Sequence, residues 1–295
     1  MKTFLAIDIG GTFIKYGLVN EHAVILESGR EAAPKELSAC LDLIDDLAQK
    51  YPQSDGIAVS SPGAVGDDGI IYGSSALPYL HGPNIKELLE EKIKKPIFLE
   101  NDANCAAYAE IWKGAAQGKK DIMVIVIGTG IGGSIMKEGK LHKGSQLHGG
   151  EFGYMLLDSS KNGRNDTWSR RASTAALIRS VAEVKKAAPD SLTGEQIFTM
   201  AEAGDQDCIQ ALEEFYHLLA LGIYNLQYVY DPEIILIGGG ISAREELITM
   251  IDDKLNDILT GIPDARIKPR IAACHFRQNA NLVGAVYGFM VENIR

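Results

Sequence analysis

Cysteine is scarce in this sequence. Only Cys40, Cys105, Cys208 and Cys274 occur in 295 residues, far apart and with no two at metal-ligand spacing. A disulfide framework is therefore not expected, and a reducing compartment fits. Long apolar runs are missing as well. None reaches the ~20 residues of a membrane span, and Asp8 interrupts the first apolar stretch too early for a secretory leader. A soluble, cytoplasmic protein without a membrane partner is the expectation. Positive charge is in deficit, with 29 Lys and Arg against 39 Asp and Glu and a net charge of −10. That balance repels nucleic-acid phosphate and argues against a general DNA or RNA partner, although it leaves room for a local nucleotide pocket. The apolar fraction of 46% and charged fraction of 23% are ordinary for a globular core.

The length suggests two domains. Phe4–Ile9 is an apolar run, Gly10-Gly11 a turn, Phe13–Val19 a second run and His22–Glu27 a third expected strand. Leu37, Cys40, Leu41, Ile44, Leu47 and Ala48 then share one helical face. Gly56–Ser60 reads as a strand ended by Ser61-Pro62-Gly63, Asp67-Asp68-Gly69 as a turn between short strands, and Pro96–Glu100 as a strand feeding a helix over 102–113. The pattern then restarts. Ile122–Ile127 is apolar, Gly128-Thr129-Gly130-Ile131-Gly132-Gly133 follows, and a strand is expected from Ser134. Helices are expected over 174–186, 194–203, 205–230, 243–259 and 280–294, with strands at 233–237 and near Ile271. The repetition predicts an N-terminal lobe over 1–117, joined by the C-terminal helix 279–295, and a second lobe over 118–278. Two such lobes would leave a ligand cleft between them.

Five segments carry chemistry-bearing residues. Asp8-Ile9-Gly10-Gly11-Thr12 offers a carboxylate, two glycines that let backbone N–H groups approach an anion, and a hydroxyl. Asp8 could hold Mg²⁺ directly or through water; a tight hairpin with a capping aspartate fits equally well. Gly128–Gly133 suits phosphate but leads into a strand, so it is neither a dinucleotide fingerprint nor a Walker A loop. Gly238-Gly239-Gly240 suits an adenine or a phosphate at a helix start. In Glu100-Asn101-Asp102-Ala103-Asn104, Asp102 could be a general base with Asn101 binding the same hydroxyl, while helix capping is the commoner use of these residues. Glu151, flanked by glycines, suits vicinal hydroxyls or plain solvent.

Taken together these segments resemble the ROK family of sugar kinases, repressors and open reading frames, over essentially the whole chain and in the family's order. The resemblance implies an α/β fold of the two-lobed actin/hexokinase type with a βββαβα core in each lobe. It implies ATP and Mg²⁺, transfer to a hexose 6-hydroxyl, and commonly a homodimer. By the same resemblance Asp102 is the base, and Asn101, Gly63, Glu151, Tyr154 and Ser169 line the sugar site. Asp8 (also the Mg²⁺ residue), Gly10, Gly11, Thr12, Thr129, Gly130, Gly132, Gly133, Gly239 and Gly240 hold the nucleotide. The chain departs from the family in four places, one of them Phe13 where a lysine often follows the first-motif threonine, which leaves Lys15 as the nearest cation. The usual Glu-x-Gly-His reads Glu151-Phe152-Gly153-Tyr154. The cysteine-rich zinc segment reads Asp158 to Thr167 without cysteine, so no structural zinc is expected. A following glutamate aligns with Ser169. Loss of a histidine and a carboxylate where the family grips the anomeric side leaves room for an aglycone. The sequence is thus most similar to the β-glucoside kinase branch, with cellobiose as the expected substrate type; glucokinase and N-acetylmannosamine kinase are the alternatives. A transcriptional regulator is disfavoured because only seven residues precede Asp8. A filament ATPase would not need Asn101, Asp102 and Glu151.

Overall fold

The structure is a computed structural model and describes residues 1–157 and 166–293. In chain order the first elements are β1 (Thr3–Ile9), β2 (Phe13–Asn20), β3 (Ile25–Ala32), α1 (Leu37–Lys50), β4 (Ile57–Ser61), β5 (Ala64–Val65), β6 (Ile71–Tyr72), α2 (Ile85–Ile93), β7 (Ile97–Asn101) and α3 (Asp102–Lys113). There follow β8 (Ile122–Ile127), β9 (Ile131–Lys137), β10 (Lys140–Leu141), α4 (Trp168–Ala172), α5 (Thr174–Lys185), α6 (Gly194–Glu202) and α7 (Gln206–Tyr230). The chain continues with β11 (Ile234–Gly238), α8 (Leu247–Gly261), β12 (Ile271–Ala273) and α9 (Ala280–Asn293).

The chain forms two compact units. The first comprises Met1–Lys119, Leu141–Gly149 and Gln278–Arg295. Its sheet has the order β3-β2-β1-β4-β7, antiparallel from β3 to β1 and parallel from β1 to β7. β1 is buried at every position, which is why its sequence runs almost unbroken in apolar residues rather than alternating. On one side Cys40, Ile44 and Leu47 of α1 and Leu89 of α2 join a core with Leu5, Ile7 and Ile57. α9 packs against α3 and the strands, with the Phe289 ring 5.1 Å from that of Phe4.

The second unit, Lys120–Lys140 with Gly150–Arg277, repeats the arrangement in the order β10-β9-β8-β11-β12. β8–β9 is antiparallel, while β8–β11 and β11–β12 are parallel. Its core gathers Ile125 and Ile237 of the sheet with Leu219 and Ile223 of α7 and Trp168 of α4. Trp168 is fully buried and donates its indole N–H to the Leu218 carbonyl, so its one polar atom is satisfied.

Four expectations shift. The third strand spans Ile25–Ala32, not 22–27, because Ala23 turns at φ 68° and the chain pairs only afterwards. α2 lies where no helix was expected, capped by the Asn84 side chain, which accepts from the Glu87 N–H. β9 begins at Ile131, so Gly132 and Gly133 are strand residues that pair with Val126 and Ile125. α8 begins at Leu247, because a 3₁₀ turn over Gly240–Ala243 intervenes, with the Ser242 hydroxyl donating to the Gly239 carbonyl. No helix among the described residues is long and apolar enough to cross a membrane.

Candidate active site

In the first unit, parallel pairing sets Asp8 of β1 beside Ser60 of β4, and antiparallel pairing sets it beside Lys15 of β2. The Asp8 carboxylate is nearly buried. Its Oδ1 accepts from Ser60 Oγ (3.1 Å) and from Asn281 Nδ2 of α9 (3.0 Å), and its Oδ2 lies 3.9 Å from Lys15 Nζ. The Gly10 N–H donates to the Phe13 carbonyl, closing the turn that exposes Gly11 and Thr12. The hairpin reading and the anion-turn reading therefore coexist at one place: the turn is tight, and its tip presents backbone and hydroxyl to solvent.

The β7–α3 junction carries Asn101 and Asp102. Asn101 is the N-cap of α3, its Oδ1 accepting from the Asn104 N–H at 3.1 Å. Its amide nitrogen donates elsewhere, to Asp102 Oδ1 and to the Gly63 carbonyl, both at 3.0 Å. Asp102 Oδ1 also accepts from the Ala103 N–H (2.8 Å), and the carboxylate stands in the helix's first turn, where the dipole favours negative charge. One residue thus caps the helix and aims its neighbour. Gly63 has φ 98°, and a Cβ there would lie 2.8 Å from Ile71 Cγ2 and 2.9 Å from His81 Cε1, so only glycine turns its carbonyl onto Asn101 without strain.

Behind Asn101 lies Glu100, 2% exposed. Its Oε1 accepts from the Asn101 N–H (2.7 Å) and Asn104 Nδ2 (3.0 Å), and its Oε2 pairs with Lys143 Nζ at 2.8 Å. Burial alone would lower the Lys143 pKa, but the charge and hydrogen bonds of Glu100, with Asp67, outweigh it and hold the pKa above its ordinary value. Cys105, one turn into α3, is fully buried, and burial followed by the charges of Glu100, Asp8 and Asp102 pushes its thiol well up. Ser60, Asn281, Glu100 and Lys143 were not singled out from the sequence. Glu100 opens the Glu100–Asn104 motif, but the sequence assigned it no role of its own. Asn281 and Lys143 reach Asp8 and Glu100 only through tertiary folding, and no local signal marks them.

In the second unit the nucleotide candidates and the turn expected to grip the sugar gather at the end of β8. The Gly128 N–H donates to the Gly130 carbonyl, leaving Thr129 and Gly130 exposed at the tip. The Gly128 carbonyl accepts from the first residue of α5, Thr174. Gly239, at φ 90°, backs onto Ile127 at the end of β8, and around Gly240 the space is open. Gly153 backs onto the Ile131 carbonyl and Ser169 Oγ, so Glu151–Tyr154 adjoins the glycine turn. Ser169 accepts from the Ile131 N–H at 2.8 Å and donates to the Ile131 carbonyl at 3.1 Å, which makes its hydroxyl a clamp on that turn. Glu151 is exposed, and Tyr154 beside it is 74% exposed. The segment expected to lack zinc, Asp158 to Thr167, lies largely outside the described residues. Arg171, four residues after it, lies 3.2 Å from Glu214 and 4.0 Å from Asp166.

The ROK family pattern matches residues 4–290. A β-glucoside kinase of Listeria monocytogenes is 36% identical over 98% of both chains. Among solved structures, a ROK family protein of Streptococcus pneumoniae in complex with sucrose superposes with a TM-score of 0.92 at 36% identity, covering 98% of each chain. A ROK family glucokinase of Streptomyces griseus, in complex with glucose and AMPPNP, gives 0.78 at 27% identity over 96% of this chain and 97% of that one. The chain belongs to the ROK family and carries its sugar-kinase architecture, a mixed α/β fold of the actin/hexokinase type.

Proposed function

We propose that the protein transfers the γ-phosphoryl group of ATP to the 6-hydroxyl of a β-glucoside such as cellobiose. The observation that carries the reading is the Asn101–Asp102 pair: a carboxylate in the first turn of a helix, steered by the amide of the capping residue and backed by buried Glu100. Asp102 takes the proton of the attacking hydroxyl as a general base, and Asn101 and Glu151 orient the sugar. Phosphoryl transfer demands chiefly alignment and charge stabilisation. The backbone N–H groups of the two glycine turns, with Thr12 and Thr129, supply the latter for the triphosphate, and Gly239–Gly240 receive the adenosine.

Among the described residues no three His, Cys, Asp or Glu side chains form a metal cluster. Mg²⁺ carried on a nucleotide usually binds through one or two carboxylates, substrate phosphates and water. Asp8 would hold it through water, and its charge would neutralise the phosphate oxygens.

The sugar assignment rests on Tyr154 and Ser169. An exposed tyrosine beside Glu151 offers a face for a second sugar ring, and Ser169 brings no carboxylate and spends its hydroxyl on Ile131. Both features suit a substrate extended at the anomeric oxygen, and the Listeria relative's name agrees. ADP release should be measured with cellobiose, glucose, N-acetylmannosamine and buffer alone. Turnover on cellobiose well above glucose is the expected result. Turnover confined to free hexoses would retain the kinase and discard the aglycone argument.

A further inference from the structure

Lys143 belongs to none of the five motifs. It lies just after β10, in the segment Leu141–Gly149 that folds with the first unit. Its ammonium meets three acceptors: Glu100 Oε2 at 2.8 Å, the Val65 carbonyl at 3.2 Å and Asp67 Oδ1 at 3.2 Å. These partners come from two separate pieces of chain. Val65 ends β5 and Asp67 begins the turn to β6, two and four residues after Gly63. Glu100 is next to last in β7 and grips the Asn101 N–H and the Asn104 side chain. Between these pieces runs the Asn101 amide, bonded to the Gly63 carbonyl on one side and to Asp102 on the other.

We infer that Lys143 is a positioning residue for the proton-abstracting pair, clamping the β5–β6 hairpin to the β7–α3 junction so that Asn101 holds Asp102 at its working angle. This rests on the reading of Asp102 as the base of a sugar kinase. The ammonium also offsets the Glu100 charge. Glu292 of α9 adds a further carboxylate to that neighbourhood; burial, the largest influence, raises its pKa, and Glu100 and Asp67 add to the rise while Lys86 and Lys143 oppose it. Besides its ion pair with Glu100, the ammonium spends donors on the other piece of chain. The additional bonds to Val65 and Asp67 are what tie the two walls of the site together.

The two roles separate in a set of four proteins assayed on cellobiose and ATP, each with its thermal midpoint measured and turnover read well below it. Lys143→Met strands a buried carboxylate and should lower the midpoint. It should also lower kcat by about 10–100-fold, the scale of an ångström-sized misplacement, while the KM for ATP changes little. Adding Glu100→Gln removes the stranded charge, so Glu100→Gln/Lys143→Met should recover much of the midpoint while kcat stays low, because the tie to Val65 and Asp67 is still broken. Recovery of kcat along with stability, or an undiminished kcat in Lys143→Met, overturns the inference. Wild type and Asp102→Asn report on the underlying reading. If wild type releases no sugar-dependent ADP, or Asp102→Asn retains turnover, that reading fails and takes the clamp with it. If both behave as expected, the Lys143 variants alone decide.

Discussion

Asp102 is held from two directions, by the Asn101 amide and the Ala103 N–H, so its carboxylate has little freedom to swing. Asp102→Asn preserves shape but removes the proton acceptor, and kcat should fall ~10²–10⁴-fold with the KM values nearly unchanged; steady-state kinetics at saturating ATP is the check, and near-normal turnover would reject the assignment. The role proposed for Tyr154 is in binding the second sugar ring, not in proton transfer. Because its ring is exposed rather than packed, Tyr154→Ala should leave stability and glucose turnover alone while raising the KM for cellobiose about 5-fold, the ~1 kcal/mol scale of an aromatic contact. An unchanged cellobiose KM would show that the ring only faces solvent. The local string Glu-Asn-Asp-Ala-Asn made Asn101 and Asp102 legible, yet it also supported the rival reading of a simple cap. The structure shows why neither reading could win from sequence: Asn101 spends its oxygen on the cap and its nitrogen on Asp102. Ser60, Asn281 and Lys143 stayed hidden because strand register and chain return, not neighbours in sequence, bring them to the site.

Elements whose burial is continuous were readable, and those balanced by a few tertiary contacts were not. β1 and β8 announce themselves as apolar runs ended by glycine, and α7 as a long apolar periodicity. β3 is an edge strand with most side chains in water, so its sequence carries little alternation and its start was placed three residues early. α4 is five residues long and is held by buried Trp168, which propensity alone could not reveal. α2 did carry a signal: Asn84 capping, and Ile85 and Leu89 spaced for one face. The cap of α7 makes a pH test possible. Asp205 accepts from the Cys208 N–H and pairs with Lys185, and the hydrogen bond from Lys185, then that from Cys208, bring its pKa down to about 2. A depressed carboxylate contributes stability that is present above its unfolded value of ~3.9 and is lost as pH falls toward the folded value. Thermal midpoints of wild type should therefore drop more steeply between about pH 4 and pH 2 than those of Asp205→Asn, which keeps a cap acceptor but has no charge to lose. Parallel curves would mean the pair adds nothing to the folded state.

Across the whole molecule, the repeated sheet order is the feature that the sequence showed most faintly and the structure most clearly. The apolar strand, glycine turn and returning strand recur at β1–β2 and β8–β9, but the third strand of each set, exposed β3 and two-residue β10, is too weakly patterned to reveal the repeat by itself. Each unit has its own buried core, so ligand binding adds to stability already present rather than creating a fold. A ligand bound only by the native state stabilises it by RT ln(1 + [L]/Kd), about 2.7 kcal/mol at one hundred times Kd. At ~2–4 °C per kcal/mol for chains of comparable size, the thermal midpoint should rise by roughly 5–10 °C. The discriminating variable is concentration: cellobiose should raise the midpoint at levels where N-acetylmannosamine leaves it unchanged, and Tyr154→Ala should move the cellobiose curve to higher concentration by about the factor seen in its KM. A midpoint that responds to glucose first, with Tyr154→Ala making no difference, would assign the free hexose as the ligand and leave Tyr154 without a part in recognising it.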